Sequence, residues 1–223
     1  MGPLWLVPGG LLLILALLTV NVLADGPLVG ADRRIRAAVR AQATSGAWQW
    51  LSDSWHAPAR LLVDLGNYEV AVPVLAACAL IAAARHRTLR PLLAAGAAVV
   101  LVLVTVTPAK ILTARPGPGL ATVGSGGLGV FPSGHATTAS ACLGVALLLL
   151  LRDLPARIRR PVAVAVAALC VGVGVALVWC DDHWFTDVVA GWALAALIAA
   201  ASVRLSRCSR PQWPMHLRGH GRG

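Results

Sequence analysis

Apolar residues run through the chain in long blocks broken by short polar words, at roughly 4–24, 68–84, 91–109, 136–151, 161–179 and 188–203. A membrane span needs about 17–25 residues, so several blocks are minimal and borrow flanking positions. Their Leu, Ala, Val and Gly content and their length predict helices rather than barrel strands. The pattern therefore predicts an all-α integral membrane protein with six transmembrane helices. It divides the chain into one membrane domain over 1–207 and a basic, disordered tail over 208–223. The first block could also be a cleaved signal peptide, since Val22-Leu23-Ala24 resembles a cleavage site. Against that, no Lys or Arg precedes Arg33, so the basic front end of a signal is missing.

Composition agrees with this frame. Of 223 residues, 58% are hydrophobic and mean hydropathy is +0.76, too apolar for a soluble globule. The net charge of +10 raises the question of nucleic acid. The arginines argue against it, because they flank the apolar blocks instead of gathering with aromatics on one soluble face. Arg85, Arg87, Arg90, Arg152, Arg157, Arg159, Arg160 and the five arginines from Arg204 onward share one side if the six blocks alternate. Twelve of nineteen basic residues then face the cytoplasm, which puts both termini there as well. The exception is Arg33, Arg34, Arg36 and Arg40, in a first connection (25–67) long enough to weaken the rule. Its 31–42 stretch could also lie along the bilayer surface as an amphipathic helix, and Trp48, Trp50 and Trp55 fit interfacial anchoring there. Five scattered cysteines without a Cys-x-x-Cys pair make neither a disulfide framework nor a zinc site.

Two polar words carry the chemistry. Pro132-Ser133-Gly134-His135 stands where the fourth block starts, and 48 residues after His135 comes His183-Trp184-Phe185-Thr186-Asp187. Both are expected at the outward surface. A helix N-terminus offers unpaired N–H groups, so Ser133 and Gly134 could bind an anion, or Ser133 could simply be an N-cap. With the last helix starting near His183, Asp187 lies one turn on and on the same face. A carboxylate on one ring nitrogen fixes the tautomer and aims the other nitrogen outward, as a nucleophile requires. Lys110 and Arg115 add a compact and a forked cation suited to phosphate oxygens, unless they snorkel at the boundary. Asp181 and Asp182 read as a solvated loop, the sharper alternative being that one pairs with Arg115.

At these residues the chain resembles the type 2 phosphatidic acid phosphatase superfamily of integral-membrane lipid phosphatases, related to vanadium haloperoxidases, over about 61–205. The resemblance implies a phosphatase-type helical core in which Ser133 and Gly134 bind phosphate and His135 is the general acid. It implies that His183 is the nucleophile, paired with Asp187, and that Lys110 binds phosphate without metal or cofactor. The implied reaction is hydrolysis of a lipid phosphate or polyprenyl diphosphate through a phosphohistidine. Two positions depart from the family pattern. The first motif, Lys, six residues, then Arg-Pro, has Gly117 for its Arg, with Arg115 two residues early. The third motif's Arg, six residues before the nucleophile, is Leu177. Arg115 is expected to have taken over a phosphate contact. The rival reading is a binder or translocator of lipid phosphates that keeps the fold without catalysis; vanadate-dependent peroxidase chemistry suits so cation-poor a pocket less well. Membrane lipids are the expected surroundings, and no nucleic-acid partner is expected.

Overall fold

A computed structural model describes residues 6–46, 49–123 and 127–208. Eight α-helices occur among them: α1 (Leu6–Leu23), α2 (Pro27–Thr44), α3 (Gln49–Asp64), α4 (Tyr68–His86), α5 (Arg90–Thr113), α6 (Gly134–Leu150), α7 (Ala156–Trp179) and α8 (Phe185–Cys208). Each apolar block of the sequence lies in one helix. Five of them, α1, α4, α5, α7 and α8, are long and apolar enough to cross a membrane. The remaining block forms α6, whose 17 residues reach only about 25 Å at 1.5 Å per residue. Trp48, Gly124–Gly126 and the tail from 209 lie outside the described residues.

Helix ends follow local chemistry. Pro91 lies in the first turn of α5, where its missing N–H costs nothing. Arg87 and Ala114 end α4 and α5 in the left-handed region, at φ 48° and 41°. Ser133 caps α6 and its hydroxyl accepts from the Ala136 N–H. In the bundle α6 is central and packs on α4, α5, α7 and α8. The core between α4, α5, α6 and α8 is built largely from Ala71, Ala79, Ala94, Ala98, Ala141 and Ala195. In a bilayer, where apolar side chains gain nothing by leaving lipid for one another, small residues let backbones approach closely.

The first connection departs most from expectation. It holds two helices, not one, and α3 had no counterpart in the sequence reading. The segment 31–42 is helical within α2, but its polar face is not simply solvated. Asp32 is buried at 2% exposure and Arg36 is paired with Asp181 of the α7–α8 loop. Helix α3 packs on α7, placing Ala59 and Val63 against Val173, Ala176 and Leu177.

Candidate active site

At one end of the bundle, the loop after α5 folds back on the helix it leaves. Gly129 N–H donates to Lys110 O (3.2 Å) and Val130 N–H to Arg115 O (2.9 Å). A side chain at Gly129 would put Cβ 2.5 Å from the Arg115 nitrogen, so this return requires glycine. The loop delivers Ser133, whose N–H donates to Asp187 O at 3.0 Å. That bond ties the start of α6 to the start of α8. Gly191 keeps the two helices close, since a Cβ there would lie 3.1 Å from Ser133 O and from Ala136 Cβ.

These contacts gather the expected residues. The Lys110 ammonium lies against the first turn of α6, its Nζ 3.8 Å from where a Cβ on Gly134 would stand. His135 and His183 face each other with ring centroids 6.3 Å apart and planes at 62°. Asn67, the residue before α4, has Oδ1 2.9 Å from His135 Nε2, an acceptor that favours a proton on that nitrogen. His183 is buried at 7%. It precedes α8 instead of opening it, so its approach to Asp187 is made by a turn and not by a helical face. Its Nδ1 lies 3.5 Å from Asp187 Oδ2, which is long for a hydrogen bond.

Asp187 is wholly buried, so its charge needs partners. Oδ2 accepts from the Trp184 N–H at 3.1 Å, the reach of a first-turn acid back to the residue before its helix. Oδ1 accepts from Arg115 Nη1. Arg115, expected to face a phosphate, is 6% exposed. Its Nη2 donates to Asp32 Oδ2 at 2.7 Å and its Nη1 also to Thr186 Oγ1 at 2.8 Å. Both terminal nitrogens are thus engaged by protein. Neither Asp181 nor Asp182 pairs with Arg115, and neither is simply solvated. Arg36 grips Asp181 bidentately, at 2.7 Å and 2.7 Å, with Arg40 at 2.8 Å; Arg60 holds Asp182 at 2.8 Å. The Arg36 guanidinium keeps the Asp181 carboxyl below its ordinary 3.8.

The two departures from the family pattern now have surroundings. Leu177 is fully buried among Ala59, Val63, Val173 and Val188, so α3 covers the place of the third-motif arginine. Gly117 is buried too, within 3.5 Å reach of Leu120 and Val130 for any added Cβ. A cleft of about 450 Å³, lined by Asp25, Arg33, Arg36, Arg115, Pro116 and Trp184 among others, opens on the α2 side of Arg115. Neither histidine lines it.

The profile of the PAP2 superfamily matches residues 91–210, just over half of the chain and every motif residue from Lys110 to Asp187. The chain belongs to the PAP2 superfamily. A solved PAP2-type structure, the transmembrane phosphatidylglycerolphosphate phosphatase of Bacillus subtilis, superposes with a TM-score of 0.75 at 21% identity, covering 92% of this chain and 98% of that one. The likeness shows that this PAP2 protein has a transmembrane phosphatase fold. No curated protein matches the sequence.

Sequence reasoning missed Asp32, Asn67 and Thr186. Asp32 did leave a trace, as the lone acid in an arginine-rich segment. Asn67 left none, because its partner is 68 residues away.

Proposed function

We propose that this PAP2 protein hydrolyses a lipid phosphate or diphosphate through a phosphohistidine on His183. The reading rests on one observation: His135 and His183 face each other above a buried, hydrogen-bonded Asp187, with the Lys110 ammonium against the α6 N-terminus. In this mechanism the Asp187 carboxylate keeps the proton on His183 Nδ1, leaving Nε2 to attack phosphorus. Lys110, the Ser133 hydroxyl and the Gly134 N–H at the start of α6 bind the phosphoryl oxygens as negative charge builds on them. His135 gives its proton to the departing oxygen, and as a base it then helps water attack the phosphohistidine. No step calls on a metal.

A lipid substrate is supported by an apolar groove of about 160 Å³ between α4, α5 and α6. Its lining begins at Tyr68, beside Asn67, and at Thr138, one turn beyond Gly134. It continues through Val106, Val102 and Val99 towards mid-helix. A head group between the histidines could thus leave its chain in hydrocarbon. The arginine bias towards the other end of the spans supports an extracytoplasmic site.

The test is phosphate release by the purified protein in EDTA from phosphatidic acid, phosphatidylglycerolphosphate and a polyprenyl diphosphate. His183→Ala should abolish release. His135→Ala should slow poor leaving groups roughly 10²–10⁴-fold, the usual worth of a positioned acid, and activated aryl phosphates much less. Turnover in His183→Ala would remove the nucleophile assignment, and loss of wild-type activity in EDTA would remove metal independence. A wild-type protein that binds these lipids without releasing phosphate would favour the binder.

A further inference from the structure

Helix α2 lies outside the residues that match the family, yet one of its faces is directed at the nucleophile's loop. Asp32, Arg36 and Arg40 follow one another at four-residue spacing and so share that face. Arg36 and Arg40 take Asp181, two residues before His183. Asp32 goes deeper, with its side chain 1% exposed. Its Oδ1 accepts from the Thr186 N–H at 3.0 Å, one of the N–H groups that the first turn of α8 cannot satisfy itself. Its Oδ2 accepts from the Thr186 hydroxyl and from Arg115 Nη2. Arg115 in turn holds Asp187 Oδ1. Every bond that Asp32 makes therefore ends on Asp187's own helical turn or on the guanidinium that aims Asp187.

We propose that Asp32 is a positioning residue for phosphoryl transfer, setting the Asp187 carboxylate through Arg115 and Thr186 so that His183 meets phosphorus in one orientation. This rests on His183 being the nucleophile. Without the Asp32 charge, Arg115 has one carboxylate in place of two and is free to turn, and Asp187 turns with it. His183 Nδ1 stands 3.5 Å from Asp187 Oδ2 with no hydrogen-bond partner of its own, so Asp187 must move slightly inward to engage it and a turn the other way removes the bond altogether. Asp32 touches no substrate, so its loss reduces kcat and leaves ground-state binding alone.

The experiment compares Asp32→Asn, Arg115→Gln and their double variant, with phosphate release from a lipid phosphate as the assay. Asp32→Asn should lower kcat about 10- to 100-fold, the worth of one charge-assisted hydrogen bond. KM and the inhibition constant of inorganic phosphate should stay within about twofold, as expected when only transition-state interactions are lost. Arg115→Gln strands two buried carboxylates side by side. Adding Asp32→Asn to it should therefore cost nothing more, or restore activity. Thr186→Val should reproduce part of the loss and Thr186→Ser should recover it; this pair decides the matter if Asp32→Asn does not fold. Wild-type kcat in Asp32→Asn would overturn the inference. So would a matching rise in KM and in the phosphate inhibition constant, or losses from Asp32→Asn and Arg115→Gln that multiply. Activity in His183→Ala would instead overturn the phosphohistidine reading beneath it.

Discussion

Gly66 offers the sharpest test of how closely the site is packed. It stands in the turn between α3 and α4, where a Cβ would lie 2.8 Å from His135 Cβ and 2.8 Å from His135 O. Ordinary carbon contacts need about 3.5–4.0 Å, so Gly66→Ala demands a retreat of about 1 Å. The α6 side cannot easily supply it. Ser133 N–H is tied to Asp187 O, and the Thr137 hydroxyl donates to Ser133 O at 2.7 Å. The α3–α4 turn must give instead, and Asn67 moves with it. The 2.9 Å contact between Asn67 Oδ1 and His135 Nε2 then opens by about 1 Å, beyond hydrogen-bonding range. A neutral hydrogen bond is worth about 0.5–1.5 kcal/mol, or roughly 2- to 13-fold in rate. Displacement of the acid can raise the loss to about 100-fold. Stopped assays of phosphate release should show that loss for an alkyl or lipid leaving group and little change for an activated aryl phosphate. Asn67→Ala should show the same asymmetry. Wild-type turnover of the lipid substrate by Gly66→Ala, or equal slowing of both substrates, would refute the reasoning.

Two further outcomes are expected. The folded Asp181 carboxyl sits below its ordinary value, held there mainly by the Arg36 hydrogen bond, so its stabilising effect is present above the unfolded value and fades as pH falls through the folded one. The difference in melting temperature between wild type and Asp181→Asn should accordingly be largest near neutrality and shrink below about pH 4; a constant difference would contradict the pairing. For orientation, Ala121→Cys and Arg204→Cys place single thiols at exposed positions near opposite ends of α8, in an otherwise cysteine-free chain. A membrane-impermeant thiol reagent on intact cells should label the first only, and labelling of the second alone would invert the topology.

How much of this was legible depended on distance along the chain. The six apolar blocks are local patterns and each became a helix, although α6 came out short. The His183–Asp187 pair and the Ser133–His135 word are local too, and the two histidines lie 6.3 Å apart at one end of the bundle, although a turn rather than a shared helical face carries His183 towards Asp187. What failed to show were bonds between segments far apart in sequence. Asp32 meets Arg115 and Thr186 across 83 and 154 residues, and no periodicity encodes such a partner. Arg115 reads as a phosphate ligand from its forked charge and its place two residues short of the first motif's Arg. Its burial against two carboxylates could not be foreseen without knowing that α2 reaches the loop. Helix α3 was hidden for a related reason. Its sequence is amphipathic at helical period, but Pro58 stands inside it, where a proline normally ends a helix, and packing on α7 carries the helix through.

The grip of α2 on the α7–α8 loop has a consequence for anyone who would transplant this site. A fragment cut to the family's boundaries at 91–210 keeps every motif residue, but discards Asp32, Arg36 and Asn67. Arg115 would then face one carboxylate, Asp181 would lose its clamp, and His135 would lose its acceptor. The working unit is therefore larger than the motif residues alone, and a chimaera should carry α2, α3 and the turn at Gly66 as one inseparable cassette with the histidines. Natural exchange of N-terminal helices between such proteins would be constrained in the same way: a new α2 is admissible only if it brings an acid to the position of Asp32, or comes with a loop that no longer needs one.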